Sequence, residues 1–184
     1  MLNRWDPSHL RRIDRLVPFE PDERVLEVGS GQGHLTTAIA ARGVDIVGID
    51  ANPSAAEVSG SELIRHMTAE SLEFDDESFD AVISVHAIEH IPGLEEAFAE
   101  MVRVLRPGGR AAFVYPAEPI KGLYAIPTSI VLHGTPFKAR EVHCHKLWPD
   151  KVRRMLEPLG MKQTAREFSL FKSPQFASAF QKAG

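Results

Sequence analysis

A chain of 184 residues is long enough for one compact domain with a sizeable core and too short for two comfortable ones. At 43% hydrophobic and 25% charged residues it has the make-up of a globular protein, and its single cysteine, Cys144, excludes an internal disulfide and suits a reducing compartment. The net charge of −4 conceals a split: residues 1–137 hold 11 Lys+Arg against 21 Asp+Glu (−10), and residues 138–184 hold 10 against 4 (+6).

That split can mark an anionic partner near the C-terminal part, although solvated helix and strand faces explain it as well. A nucleic-acid surface would need a denser basic stripe with interleaved aromatics, so no nucleic-acid partner is expected. The N-terminus lacks an apolar signal region, and no uncharged apolar run is long enough to span a bilayer. A cytoplasmic protein without stable membrane insertion is the expectation.

In chain order, residues 7–17 form an N-terminal helix whose Arg11, Arg12 and Arg15 read as a solvated face. Residues 24–28 form a short strand that runs straight into a glycine-rich turn. A helix follows over 34–42, with Gly43 placed to stop it. Residues 44–49 are almost continuously apolar and β-branched, the pattern of a strand buried on both faces of a parallel sheet. A short helix starts near Pro53-Ser54, and 63–67 can form a third strand. Residues 79–85 form a fourth strand, 94–105 a helix that stops before Pro107-Gly108-Gly109, and 110–115 a fifth strand. A helix over 146–159 and strands over 161–168 and 175–180 complete the chain. This alternation predicts a doubly wound, Rossmann-like α/β fold with a seven-stranded, mostly parallel sheet, an antiparallel last strand and helices on both faces. Residues 1–184 read as one domain, with 1–23 a lead-in and 116–145 an insertion.

Ligands of such sheets bind outside the carboxyl ends of the strands. The first strand ends in Glu27-Val28-Gly29-Ser30-Gly31-Gln32-Gly33-His34, where glycines permit a tight turn and close backbone approach, and a helix start favours an anion. The second strand ends in Asp50, whose carboxylate can accept from a ribose diol. A nucleoside ligand fits both. A dinucleotide fingerprint would require Gly or Ala where His34 stands, so an NAD-dependent oxidoreductase is the weaker reading.

With these residues the chain resembles the class I S-adenosylmethionine (SAM)-dependent methyltransferases, in particular their small ubiquinone/menaquinone-methyltransferase-like (type 11) branch. The resemblance runs from about Val25 to Phe180. It includes Thr68-Ala69-Glu70-Ser71-Leu72-Glu73-Phe74, Ser78-Phe79-Asp80-Ala81-Val82-Ile83-Ser84, Ala87-Ile88-Glu89-His90-Ile91 and Leu105-Arg106-Pro107-Gly108-Gly109-Arg110. It implies SAM as cofactor, with S-adenosylhomocysteine as product. It also implies a cofactor site made of Glu27, Gly29, Ser30, Gly31, Gly33, Asp50, Ala51, Ala69, Glu70 and Val85, with Ala69 and Glu70 at the adenine. Asn52-Pro53 and the short segment up to Gly60 depart from the usual pattern beside the ribose.

For the acceptor side, His86 follows the fourth strand at the mouth of the sheet, with Glu89 and His90 behind it. His90 can simply hold backbone. His143 and His145 stand just before the 146–159 helix, where the resemblance places a substrate-facing histidine. His86, His143 and His145 are the catalytic candidates, since histidine titrates near neutrality. The His143-Cys144-His145 run lacks a third ligand, so no metal is expected. Val85-His86-Ala87-Ile88 replaces the Asn/Asp-Pro-Pro-Tyr turn of base-modifying enzymes, which favours a small-molecule acceptor. The apolar, proline-interrupted stretch 116–140 suits a lid over a hydrophobic acceptor, a homodimer contact, packing, or a membrane-facing surface. A SAM-binding module without turnover would carry the same cofactor motifs.

Overall fold

The computed structural model describes residues 7–117, 144–170 and 174–184. Its elements are α1 (Pro7–Leu16), β1 (Arg24–Val28), α2 (His34–Ala40), β2 (Asp45–Asp50), α3 (Pro53–Ser59), β3 (Ile64–His66), β4 (Phe79–Val85) and α4 (Leu94–Val104). They continue with β5 (Leu105–Pro116), α5 (Pro149–Leu156), β6 (Met161–Ser169) and β7 (Gln175–Lys182). The seven strands lie in the order β3-β2-β1-β4-β5-β7-β6. All neighbours from β3 to β5 pair in parallel, and β7 slots between β5 and β6, antiparallel to both. This is the doubly wound sheet expected.

Strand order reverses between β1 and β4, so the two crossovers leaving that point place helices on opposite faces. The side chains show it. Val25, Ile46, Ala81, Ile83, Ala112 and Val114 pack with Ile13 of α1 and Leu35 and Ile39 of α2. Leu26, Val47, Ile49, Val82, Phe113 and Tyr115 pack on the other face with α4 and α5, through Phe98, Met101, Val152 and Leu156. An unbroken apolar run therefore serves two cores at once, alternate residues going to each.

Two boundaries and one side chain stand out against the sequence reading. The last helix begins at Pro149 rather than residue 146, because a residue preceding proline is pushed to extended backbone; Trp148 has φ −126° and ψ 152°. Strand β5 begins at Leu105, which pairs with Phe79, and residues 106–109 bulge out before Arg110 pairs with Ala81. Arg12 is not a solvated cation: its side chain is 11% exposed, with Nε 3.9 Å from Glu167. Arg15 donates to the same carboxylate at 2.9 Å, so α1 is tied to β6.

Candidate cofactor and acceptor site

The glycine turn leaves β1 at the carboxyl edge of the sheet and is anchored at once on β2. The N–H groups of Gly29 and Ser30 both donate to the carbonyl of Ile49, at 2.8 and 2.9 Å. Gly29, Gly31 and Gly33 all have positive φ, between 53° and 77°. Gly29 has a second reason to be glycine: a Cβ there would fall 2.1 Å from the Cβ of Ala87. Gly33 faces away from the ligand side, where its Cβ would meet the Ile64 side chain at 2.7 Å.

Glu27 lies beneath this turn, 3% exposed, and accepts from Thr36 Oγ1 of α2 at 2.5 Å. Burial pushes its carboxyl up to about 7, against the Thr36 hydrogen bonds and with help from the nearby charge of Asp50. Glu27 thus braces the turn from behind. Ser30 is likewise buried, and its Oγ has no hydrogen-bond partner among the described residues.

Asp50 closes β2 with both carboxylate oxygens at work: Oδ2 accepts from Gly31 N–H at 2.8 Å and Oδ1 from Asn52 N–H at 2.9 Å. Asn52 in turn caps α3 by accepting from Ser54 N–H, with Pro53 in the first turn. The unusual Asn52-Pro53 pair therefore builds a well-capped helix start beside Asp50. Glu70 Oε1 accepts from Gly93 N–H at 3.3 Å and ties the segment after β3 to the start of α4.

These parts surround one cavity of about 590 Å³. Gly29, Gly31, Asp50, Ala51, Ala69, Glu70 and Val85 line it, as do Val28, Ile49 and Met67. Its far rim is made by His86, Ala87, His90, Ile91 and Pro92. Of the cofactor residues expected from sequence, Glu27, Ser30 and Gly33 do not line the cavity, and the rest do. The sequence reading gave no site role to Met67, Ala87, Ile91 or Pro92, although Ala87 and Ile91 stand in one of the motifs it quotes.

His86 is held on both sides. Its Nε2 lies 2.9 Å from Gln175 Oε1, and its Nδ1 lies 3.5 Å from Glu89 Oε1. His145 has its Nε2 2.9 Å from the carbonyl of Ile91 and 3.2 Å from that of Pro92, so that nitrogen donates to backbone and shapes the rim. His143 and most of the 116–145 insertion lie outside the described residues. Among the described residues no group of three or more His, Cys, Asp and Glu is arranged to hold a metal, and no helix is long and apolar enough to cross a membrane.

Residues 26–113, which hold the glycine turn, Asp50 and both cavity walls, match the family model described as a methyltransferase domain. Over that segment the chain is similar to a methyltransferase domain. An uncharacterized methyltransferase of Mycobacterium tuberculosis is 40% identical to it over 107 residues, 56% of this chain and 43% of that one. The chain thus spans under half the length of this relative. A demethylmenaquinone methyltransferase of Tropheryma whipplei is 28% identical over 178 aligned positions, 86% of this chain and 74% of that one. Among solved structures, a SAM-dependent methyltransferase of Archaeoglobus fulgidus superposes with a TM-score of 0.76 at 18% identity, over 95% of this chain and 93% of that one. The [4+2]-cyclase SpnF gives a TM-score of 0.76 at 15% identity, over 96% and 80% of the two chains. Likeness at such identities is likeness of fold, and the cyclase shows that this fold hosts more than one chemistry.

The superposed enzyme of Archaeoglobus fulgidus is named for S-adenosylmethionine, and the residues here would fit that group. Asp50 keeps acceptor capacity beyond its two backbone bonds, enough for a ribose diol. Ile49, Met67 and Ala69 offer an apolar slot for a flat base, with Glu70 at its edge. The Gly31 backbone is held at the cavity wall by Asp50, where a small carboxylate could approach it.

Proposed function

We propose that the protein transfers a methyl group from SAM to a small, apolar acceptor. The observation that carries this is the continuity of the cavity, which runs from the glycine turn and Asp50 to the histidine-bearing rim without a dividing wall. A cofactor seated on the first set of residues would share one open cavity with an acceptor seated against the second. The rim residues Ala87, Ile91 and Pro92 are apolar, which suits a hydrophobic partner, and the relative named demethylmenaquinone methyltransferase supports the same direction.

Bound SAM supplies a methyl group activated by its sulfonium. What the chain contributes is placement and shelter. Gly29 and Gly31 offer backbone close to the ligand, Asp50 and Ala51 the ribose wall, Ala69 and Glu70 the adenine wall, and Val85 the floor toward the acceptor. Alignment of two reactants for in-line displacement is worth roughly 7–11 kcal/mol of barrier, so positioning alone can account for much of the rate. His86 stands at the acceptor side as the proton-handling group, and His145 holds the 91–92 turn that bounds it. In the same reading residues 1–184 act as one domain in the cytoplasm, and the acceptor is not a nucleic acid.

The test is calorimetric titration of the full chain with SAM, S-adenosylhomocysteine and NAD(H), followed by labelled-SAM assays on phenols and quinones. Binding of the first two and not of NAD(H), with label entering an acceptor, is the expected result. Binding of SAM with no transfer to any acceptor would favour a SAM-binding module, and binding of NAD(H) alone would overturn the proposal.

A further inference from the structure

Among the described residues four large apolar side chains stand exposed, and three of them gather beside the far edge strand: Trp148 (45%), Phe168 (48%) and Leu170 (65%). The fourth, Val58, belongs to α3 at the opposite edge of the sheet. Trp148 immediately precedes α5, Phe168 lies on β6, and Leu170 follows it by two residues. The rings of Trp148 and Phe168 both lean on Phe176 of β7, at 5.7 and 5.2 Å between centres. Phe176 is backed in turn by the buried ring of Tyr115, whose hydroxyl lies 2.9 Å from Ser178 Oγ. A fixed aromatic platform is therefore left facing water, where its burial would be favourable. The three rings wall a cleft of about 730 Å³ between α5 and β6, rimmed by Lys151, Arg154 and Arg166. The side chains of Lys151 and Arg154 have no hydrogen bond or ion pair among the described residues. Arg166 comes no nearer than 3.9 Å to Asp150, which Arg153 already faces at 3.8 Å. Glu167, the other acid there, is turned to Arg12 and Arg15 of α1. The rim thus carries unbalanced positive charge.

We propose that this face docks the protein on an anionic lipid bilayer, with Trp148, Phe168 and Leu170 as interfacial anchors and Lys151, Arg154 and Arg166 as headgroup contacts. Rings with one apolar and one polar end settle at the boundary between acyl chains and headgroups, and long cationic side chains reach outward from it to the charge. Basic residues close to an anionic leaflet are each attracted to it. Charge decides against the nearest alternative, since a second copy would set one positive rim against another. Cations held by no fixed partner suit a fluid array of headgroups better than a partner of set shape. Docking of this kind lies on the membrane and needs no spanning helix. It would also bring the cavity rim to the lipid. His145, three residues before Trp148, touches the Ile91 and Pro92 carbonyls, and Gln175, next to Phe176, touches His86. The docking itself does not depend on the methyltransferase reading.

The test is co-sedimentation of the full chain with vesicles of phosphatidylcholine alone and of phosphatidylcholine and phosphatidylglycerol in equal parts. Binding to the anionic vesicles, weakened by added salt and nearly lost on phosphatidylcholine, is the expected result. Lys151→Gln combined with Arg154→Gln should weaken it by on the order of tenfold to thirtyfold, and Leu170→Ser by about fivefold. Val58→Ser, which removes an equally exposed side chain from the opposite edge, should leave it unchanged. Far-UV circular dichroism checks that each variant folds. Trp5→Phe leaves Trp148 as the one tryptophan. Its emission should then shift to the blue on anionic vesicles and be quenched by brominated acyl chains. Absence of binding, binding that the variants of this face leave unchanged, an equal loss with Val58→Ser, or unmoved Trp148 emission overturns the proposal. So does a dimer that the same variants dissolve without any vesicle binding, which would assign the face to a second copy.

Discussion

Gly29 and Ala87 are packed so closely that the turn after β1 and the turn after β4 fit together only because one of them lacks a side chain; a Cβ on Gly29 would lie 2.1 Å from that of Ala87. The contact joins the glycine turn to the rim proposed to face the acceptor. It also makes the glycine pattern a statement about the neighbouring turn as much as about the ligand.

Gly29→Ala should therefore damage both sides of the site. It forces a φ of 77° on an alanine and a clash with Ala87. We expect SAM affinity to fall by about tenfold or more, with a stability loss of roughly 1–3 kcal/mol. Adding Ala87→Gly should recover the part due to the clash and leave the part due to φ. Thermal unfolding and calorimetry of the double-mutant cycle read this directly, and strict additivity would mean the two turns are not coupled.

Asp50→Ala tests the other wall. The mutation removes the acceptor capacity assigned to the ribose and frees the N–H groups of Gly31 and Asn52, both close to solvent. SAM affinity should drop by about tenfold to a hundredfold, since a hydrogen bond to a charged group is worth about 1.5–3 kcal/mol. Far-UV circular dichroism should be unchanged. A folded variant with wild-type affinity would remove Asp50 from the site.

Much of this arrangement is legible in the sequence, for reasons that can be traced. The bounds of β1 and β4 coincide with the strands read at 24–28 and 79–85, because mostly apolar β-prone stretches bracketed by turn residues announce their ends. The glycine spacing and Asp50 are legible because their backbone and charge requirements are local. What is hidden is long-range or two-sided. Nothing near Gln175 says that it will meet His86, 89 positions earlier, and the burial of Glu89 depends on how the 88–90 turn lies over the sheet. Arg12 reads as a surface residue until β6 brings Glu167 beside it.

Glu27 yields a pH prediction with a definite sign. Its folded pKa of about 7 lies above its ordinary value of 4.5, chiefly because of burial. Below pH 4.5 it is protonated both folded and unfolded, and costs nothing. Between 4.5 and 7 the unfolded chain ionises first, so stability falls as pH rises, and above 7 the loss is complete. The linkage amounts to about 3 kcal/mol at most, taking 1.36 kcal/mol per unit. Glu27→Gln keeps an oxygen for Thr36 and avoids the buried charge. It should leave stability near wild type at pH 4 and raise it by roughly 1–3 kcal/mol at pH 8. Urea titrations at the two pH values decide it, and a gain of equal size at both would show that ionisation is not the cause.

Arg103 holds the segment after the proposed adenine wall, and its replacement separates stability from binding. From α4 its guanidinium donates to Glu100 at 2.7 and 2.8 Å, to Asp76 at 2.6 Å, and to the carbonyls of Phe74 and Leu72 at 2.8 and 3.0 Å. Glu100 also accepts from Leu72 N–H, so the 72–76 loop is gripped through both its carbonyls and its amide. These bonds hold the Glu100 carboxyl below the usual carboxylate range. Lysine carries the charge but not the planar fork, and can satisfy only some of these acceptors. Arg103→Lys should cost about 1–2 kcal/mol, because two backbone carbonyls and two carboxylates compete for one compact ammonium. The loop follows Ala69 and Glu70 in sequence without itself lining the cavity. SAM affinity should therefore change by less than about threefold, even as the unfolding midpoint falls. A large loss of affinity at unchanged stability would instead place the 72–76 loop in the binding site.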